Sequence, residues 1–350
     1  MAFFEAWRAI QAERKIKDMK KRIIGLLAVF GLVGVAVMAV EQVAVPEQPI
    51  QTGKGHPFVC TDYSQGKVFI VSAEGKVEWE YSAKSCNDIW ILPNGNLLFN
   101  TGFGVQEVTR DKKVVFNYAG SPVKHTVKEK NGTTKEVESP SEIYACQRLA
   151  NGNTFIGECN SGRLLEVAPD GKIVKEIKTI LDGKDGGHAY IRNARVLANG
   201  NYLVAHYGGQ FVREYDPQGK VVVEIPAVGG PHSCIRLPNG NTLIACGDRK
   251  DGSRVFEVDK EGKTVWEVKG EGLPGISLKF MAGLQRLPNG NTVMSNWLGH
   301  GQFGKSPHLI EVTPDKKVVW TFADHKTMKT ISSIQLLDVP GDVTKGEILH

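Results

Sequence analysis

The sequence has no CxxC pair and no close Cys/His spacing, so neither a structural zinc site nor any other metal centre is expected. It also lacks a distributed positive charge. The net charge of +5 is concentrated in residues 1–39, which hold seven Lys/Arg and three Asp/Glu. Everything after them carries about +1 and shows no basic stripe, which excludes nucleic acid as an expected partner. Six cysteines permit disulfides in an oxidising compartment, but six allow 15 connectivities and their spacing selects none. The pairs Cys146/Cys159 and Cys234/Cys246 fall on neighbouring strands without being clearly opposite, and free buried thiols are the other option. What the chain has in excess is glycine, 39 of 350 residues with no collagen period, which points to many tight turns.

The N-terminal charge precedes an uncharged run of 18 residues, Ile23 to Val40. Lys20, Lys21 and Arg22 form a basic region before it, and Val37 and Ala39 supply small residues for a cleavage site. Met19 is a candidate start, with residues 1–18 otherwise a cytoplasmic extension. Residues 1–40 read either as a cleaved signal or as an anchor just long enough to span a bilayer. Both send the remainder out of the cytoplasm, because the positive charges stay inside. The expected location is therefore periplasmic or extracellular, with membrane contact only through residues 23–40. Residues 41–55, with Pro46, Pro49, Gly53 and Gly55, read as a linker.

From residue 56 to about 340 the chain repeats one unit. LPNGN begins at Leu92, Leu237 and Leu287, and LANGN at Leu149 and Leu197. The first Asn of each falls at 94, 151, 199, 239 and 289, spacings that suit propeller blades. Each unit has a short apolar strand, an Asn-Gly turn expected to use φ > 0 at both residues, and a second strand. A third strand follows, then a second turn, and a fourth strand closes the unit. The second turn occurs six times, as Glu74-Gly-Lys, Asp170-Gly-Lys, Gln218-Gly-Lys, Glu261-Gly-Lys and the glycine-free Asp111-Lys-Lys and Asp315-Lys-Lys. The missing sixth opening strand is supplied by Ile331–Leu337, which closes the ring against Pro57–Tyr81. The fold expected is all-β, a six-bladed propeller of four-stranded blades, with 341–350 as a tail. Trp79, Phe116, Trp266 and Trp320 share one place on fourth strands and read as packing between blades.

In such a ring the first strands line the channel, and the irregular loops gather on the face opposite the Asn-Gly-Asn turns. Two long insertions fall there, Ala119–Glu142 and Asn296–His308. Positions that should repeat do not. Seven residues before each turn stand Asn87, Tyr144, Arg192, His232 and Ala282; five after it stand Thr101, Glu158, His206, Cys246 and Asn296. Blade geometry demands none of these polar groups. Tyr144, Glu158, His188, Arg192, His206, His232, Asn296 and His300 are therefore the candidate ligand-binding residues. His and Arg suit an anion, and His with Glu suits acid–base chemistry.

LPNGNTL followed by a polar-Gly-Lys-x-x-Trp turn resembles the repeats of the PQQ-like and arylsulfotransferase-like propellers, over roughly residues 56–338. Six blades and the short turn argue against PQQ, and no cofactor is expected. The arylsulfotransferase resemblance implies a channel histidine as sulfuryl acceptor. His232 in Gly-Gly-Pro-His-Ser-Cys and His188 in Asp-Gly-Gly-His-Ala-Tyr are the positions that look most like such histidines, and Arg192 joins them as a candidate catalytic residue if the chain is an enzyme of that type. Three functions follow as expectations: a binding module for a small molecule, glycan or envelope protein; a group-transfer enzyme using His232, His188 and Arg192; or a scaffold subunit of an envelope complex.

Overall fold

A computed structural model describes residues 47–128, 132–180, 187–248 and 252–350. The segment with the expected export signal or anchor, residues 1–40, lies outside the described residues. Among the described residues no helix is long and apolar enough to cross a membrane.

Six four-stranded antiparallel sheets make a six-bladed propeller. Ile331–Leu336 pairs with Phe58–Asp62, so the first blade takes its channel strand from the far end of the sequence. The remaining blades begin with channel strands Ile89–Ile91, Ile143–Arg148, Ile191–Val196, Pro231–Arg236 and Met281–Arg286. First and second strands are almost wholly buried, whereas the fourth strands of the first five blades are largely exposed, with alternation clearest in Val77–Ser82. The apolar repeat is thus spent on faces between blades, and the period-2 pattern survives only at the perimeter. The insertion over 119–142 is a two-stranded hairpin, Pro122–Lys128 with Thr134–Pro140.

The Asn-Gly-Asn turn differs from the expected hairpin. Only its glycine has positive φ, for example +83° at Gly95 and +88° at Gly240. The amide of Gly95 donates to Leu92 O and that of Leu92 to Asn96 O, so Pro93 and Asn94 form a type I turn followed by a left-handed glycine. The two asparagines have separate tasks. Asn94 Oδ1 accepts from the amide of Asn96 at 3.0 Å, and Asn96 Nδ2 donates to Glu107 Oε1 at 2.6 Å. The other four turns repeat this, anchoring to Glu166, Glu214, Glu257 and Glu311. Four of these five glutamates then reach the next blade. Arg148 pairs with Glu107 at 2.6 Å, Arg236 with Glu214 at 2.7 Å, Arg286 with Glu257 at 2.9 Å and His56 with Glu311 at 3.1 Å. Burial raises the Glu257 carboxyl, but Asn241 and Arg286 outweigh it and hold its pKa below the ordinary value.

The fourth-strand tryptophans also join neighbours. Trp79 Nε1 donates to Arg110 O and Trp266 Nε1 to Pro314 O, each on the second turn of the following blade, both at 2.8 Å.

Two segments are more structured than their composition suggests. Ile50–Gly53, inside the expected linker, is a fifth strand on the last blade. It pairs with Val318–Ala323, whose outer edge would otherwise be open, and Gln51 accepts from Trp320 Nε1 at 3.1 Å. The expected tail over 341–350 closes the turn face of the channel. Its Val343 and Ile348 join the core cluster around Trp90, and His350 is buried with its ring 4.4 Å from that of Trp90. The reason is apolar content at Val343, Ile348 and Leu349, which finds partners only over the channel. All six cysteines are free and buried. Cys146 lies opposite Ile156 and Cys234 opposite Ile244, so neither suggested pair is in register.

Candidate functional site

The channel strands carry β-bulges at their variable-loop ends. Pairing slips between Ile143 and Ala145, Ile191 and Asn193, and Pro231 and Ser233, leaving Tyr144, Arg192 and His232 as the extra residues. A bulge leaves its residue out of the ladder and re-aims its side chain. Here three consecutive blades aim theirs into one cavity of about 280 Å³ at the channel mouth. Asn87, ahead of the second blade's channel strand, His188, at the start of the fourth blade, and His300, in the 297–308 loop, add further polar groups to its lining. Tyr63, Tyr207, Phe280 and Trp297 supply aromatic walls.

Arg192 is the central feature. Its guanidinium lies 4.2 Å from the centre of the Tyr144 ring and 5.4 Å from that of Tyr207. Both π systems attract the ion. It is 9% exposed, its Nη1 has no hydrogen-bond partner, and among the described residues no carboxylate pairs with it. A buried cation without a counter-ion is costly, so its retention needs a reason. Among the described residues, the acids at the cavity rim are already engaged. Glu142 holds His188 Nδ1 at 2.9 Å, and Asp248 holds His300 Nδ1 at 2.9 Å and accepts from Tyr207 at 3.5 Å.

Two further groups face Arg192. Burial first, then the guanidinium charge, pushes the His232 pKa down to about 3, so the imidazole is neutral at ordinary pH. Burial raises the Tyr144 phenol, so it too stays protonated and uncharged. The pocket interior therefore carries one fixed charge, positive.

The walls depend on glycines that sequence reasoning passed over. A Cβ at Gly230 would lie 2.7 Å from the Tyr207 ring, and one at Gly247 would lie 2.7 Å from the Phe280 ring. Tyr207 and Phe280 stack at 6.0 Å, and Phe280 meets Trp297 edge-on at 5.1 Å.

Of the residues singled out in the sequence, Tyr144, His188, Arg192, His232 and His300 meet in this cavity. Glu158, His206 and Asn296 stand outside its lining, because the second strand runs one layer behind the channel. Glu158 accepts from Ser121 N, Tyr118, Ser161 and Arg163, and so pins the root of the hairpin. Burial raises its carboxyl, yet these donors outweigh burial and lower it. His206 is enclosed by Tyr190, Phe211 and Tyr215, and burial pushes its pKa down to about 3. Asn296 accepts from the amides of Lys279 and Phe280, fixing the backbone from which Phe280 projects. Asn100 makes the same contacts in the second blade, where the second strand is one residue shorter, so it and not Thr101 is the structural equivalent. Tyr63, Tyr207, Phe280 and Trp297 left no repeat-breaking signal, since aromatic residues in such loops also serve as ordinary packing.

A family model described as Mal s 1 allergenic protein-like matches residues 62–317. No curated protein matches the sequence. Among solved structures, a protein of unknown function from Bacteroides caccae superposes with a TM-score of 0.68 at 27% identity, covering 80% of this chain and 98% of that one. A streptogramin B lyase superposes with a TM-score of 0.52 at 13% identity over 82% and 97% of the two chains, a likeness of fold alone.

Proposed function

The chain belongs to the Mal s 1 allergenic protein-like family, and on that footing we propose that this propeller is a binding module whose channel-mouth cavity captures a small organic ligand bearing a negative charge. The single observation that carries the reading is Arg192, a buried cation that lines the cavity against two tyrosine rings and has no counter-ion among the described residues. A ligand anion supplies the missing counter-charge, and the aromatic walls take its apolar body. The probe is anilinonaphthalene sulfonate, followed by fluorescence. Saturable one-to-one binding is expected, weakened at least about tenfold by Arg192→Met, the loss typical of one charged hydrogen bond. That variant should melt no lower than the parent, because it removes an unpaired buried charge. Equal binding by both proteins would sink the reading.

One observation favours a second reading, a group-transfer enzyme of arylsulfotransferase type. The neutral His232 imidazole and Arg192 share the cavity with His188, as a nucleophile and anion holders would. Its test is sulfuryl transfer from an aryl sulfate to phenol. The enzyme predicts turnover abolished by His232→Ala, whereas the binding module predicts no turnover by any variant.

We also place the propeller outside the cytoplasm, on the strength of Lys20–Arg22 before the uncharged run to Val40. Accessibility of the folded domain to protease added to intact spheroplasts tests this; protection would contradict it.

A further inference from the structure

Charge matching at Arg192 carries the binding reading one step further, to the class of ligand. Three kinds of group stand around the guanidinium. Tyr144 and Tyr207 cover it with their rings. His232, from the next channel strand, contributes no charge, since burial and Arg192 itself keep it neutral. At the rim, His188 is already tied to Glu142 and His300 to Asp248. Among the described residues, Arg192 is thus the one uncompensated cation on the wall, and a second negative charge brought into the cavity would find no partner among them.

The volume points the same way. About 280 Å³ is near the lower end of small-molecule sites, enough for a ring or two and too small for a dinucleotide. The walls are flat. Phe280 and Tyr207 are stacked, and Trp297 stands edge-on to Phe280 across from Tyr63, at 6.3 Å. Such walls recognise a planar face by stacking and edge contacts.

We infer that the cavity selects a singly charged organic acid with a flat, ring-sized body, a carboxylate or a sulfate, over a doubly charged phosphate ester. The inference rests on the binding reading above. Its physical content is desolvation: a dianion would lose the hydration of two charges and recover one ion pair.

The test is calorimetric titration of the unmodified protein with benzoate, phenyl sulfate and phenyl phosphate at pH 5.5 and pH 8. A phosphate ester has its second pKa near 6, so its monoanion falls from about three quarters to about one hundredth of the total between those pH values. If only the monoanion is accepted, the dissociation constant of phenyl phosphate rises by at least about tenfold across that interval. Benzoate and phenyl sulfate keep one charge throughout and should change together and little. They also serve as controls for any pH-dependent change of the protein that affects ligand binding in general. A ratio of benzoate to phenyl sulfate affinity far from unity identifies which acid the site prefers and leaves the charge rule standing. Phenyl phosphate binding as well as, or better than, the other two at pH 8 overturns the inference while leaving the binding reading intact. Failure of all three to bind overturns both.

Discussion

Lys112 and Lys316 occupy a position where four of the six blades place glycine. Their φ values are +68° and +69°, matching +85° at Gly171 and +84° at Gly219. The second turn requires the left-handed region, and an L side chain there costs about 1–2 kcal/mol. Glycine avoids that cost but brings extra unfolded-state entropy of about 0.5–1 kcal/mol. Lys316→Gly should therefore stabilise by up to about 1 kcal/mol, and Gly262→Ala should destabilise by about the same or more. Urea denaturation of both variants checks this, and a loss in Lys316→Gly would show that the lysine side chain matters more than its backbone. The same scale explains which site residues were legible. Tyr144, Arg192 and His232 stood out because each breaks a repeat at a fixed offset, and the bulge at that offset is what turns them inward. Glu158, His206 and Asn296 broke the repeat just as visibly, but their offset lies on the second strand, where a buried polar group holds loops in place.

At the scale of elements, a glutamate on the third strand links a turn to the next blade at four of the six junctions. Glu107, Glu214, Glu257 and Glu311 all find a basic partner across the junction. Glu166 holds Asn151 and Asn153 in the usual way, but the position that should present arginine is Val196. At the junction of the first two blades the glutamate itself is replaced, by Ile70, and its partner position is Ile91, so an apolar pair stands in for the ionic one. The third-to-fourth junction is thus the one left half-made. Val196→Arg should supply the missing guanidinium and add about 0.5–1.5 kcal/mol. That corresponds to roughly 1–3 °C in Tm for a domain of this size. The gain should vanish when Glu166→Gln is combined with it; a gain that survives would locate the effect elsewhere. This grammar was present in the sequence, as Arg before LPNGN and Glu in the third strand. It is legible only when units are laid over one another in three dimensions, because the paired residues belong to different repeats.

At the scale of the molecule, the ring is closed three times. Ile331–Leu336 completes the first blade, Ile50–Gly53 caps the last, and the segment from Asp342 to His350 seals the turn face. Across the channel, Arg195 makes a two-pronged ion pair with Asp88 at 2.7 and 2.9 Å and donates to His350 O, tying blades two and four to that segment. Closure by Ile331–Leu337 was legible because that stretch imitates the other channel strands. The outer strand and the channel seal were not, since neither repeats. The turn face keeps a cavity of about 980 Å³ beside the 342–350 segment, but Arg192 lines only the cavity at the opposite face, through which a ligand would reach it. A crystal structure of the protein soaked with benzoate tests this most directly. The account predicts the carboxylate within about 3 Å of an Arg192 guanidinium nitrogen and the ring against Phe280 or Trp297, the spacing of a charged hydrogen bond. Benzoate bound with its carboxylate away from Arg192, or bound only on the turn face, would contradict it.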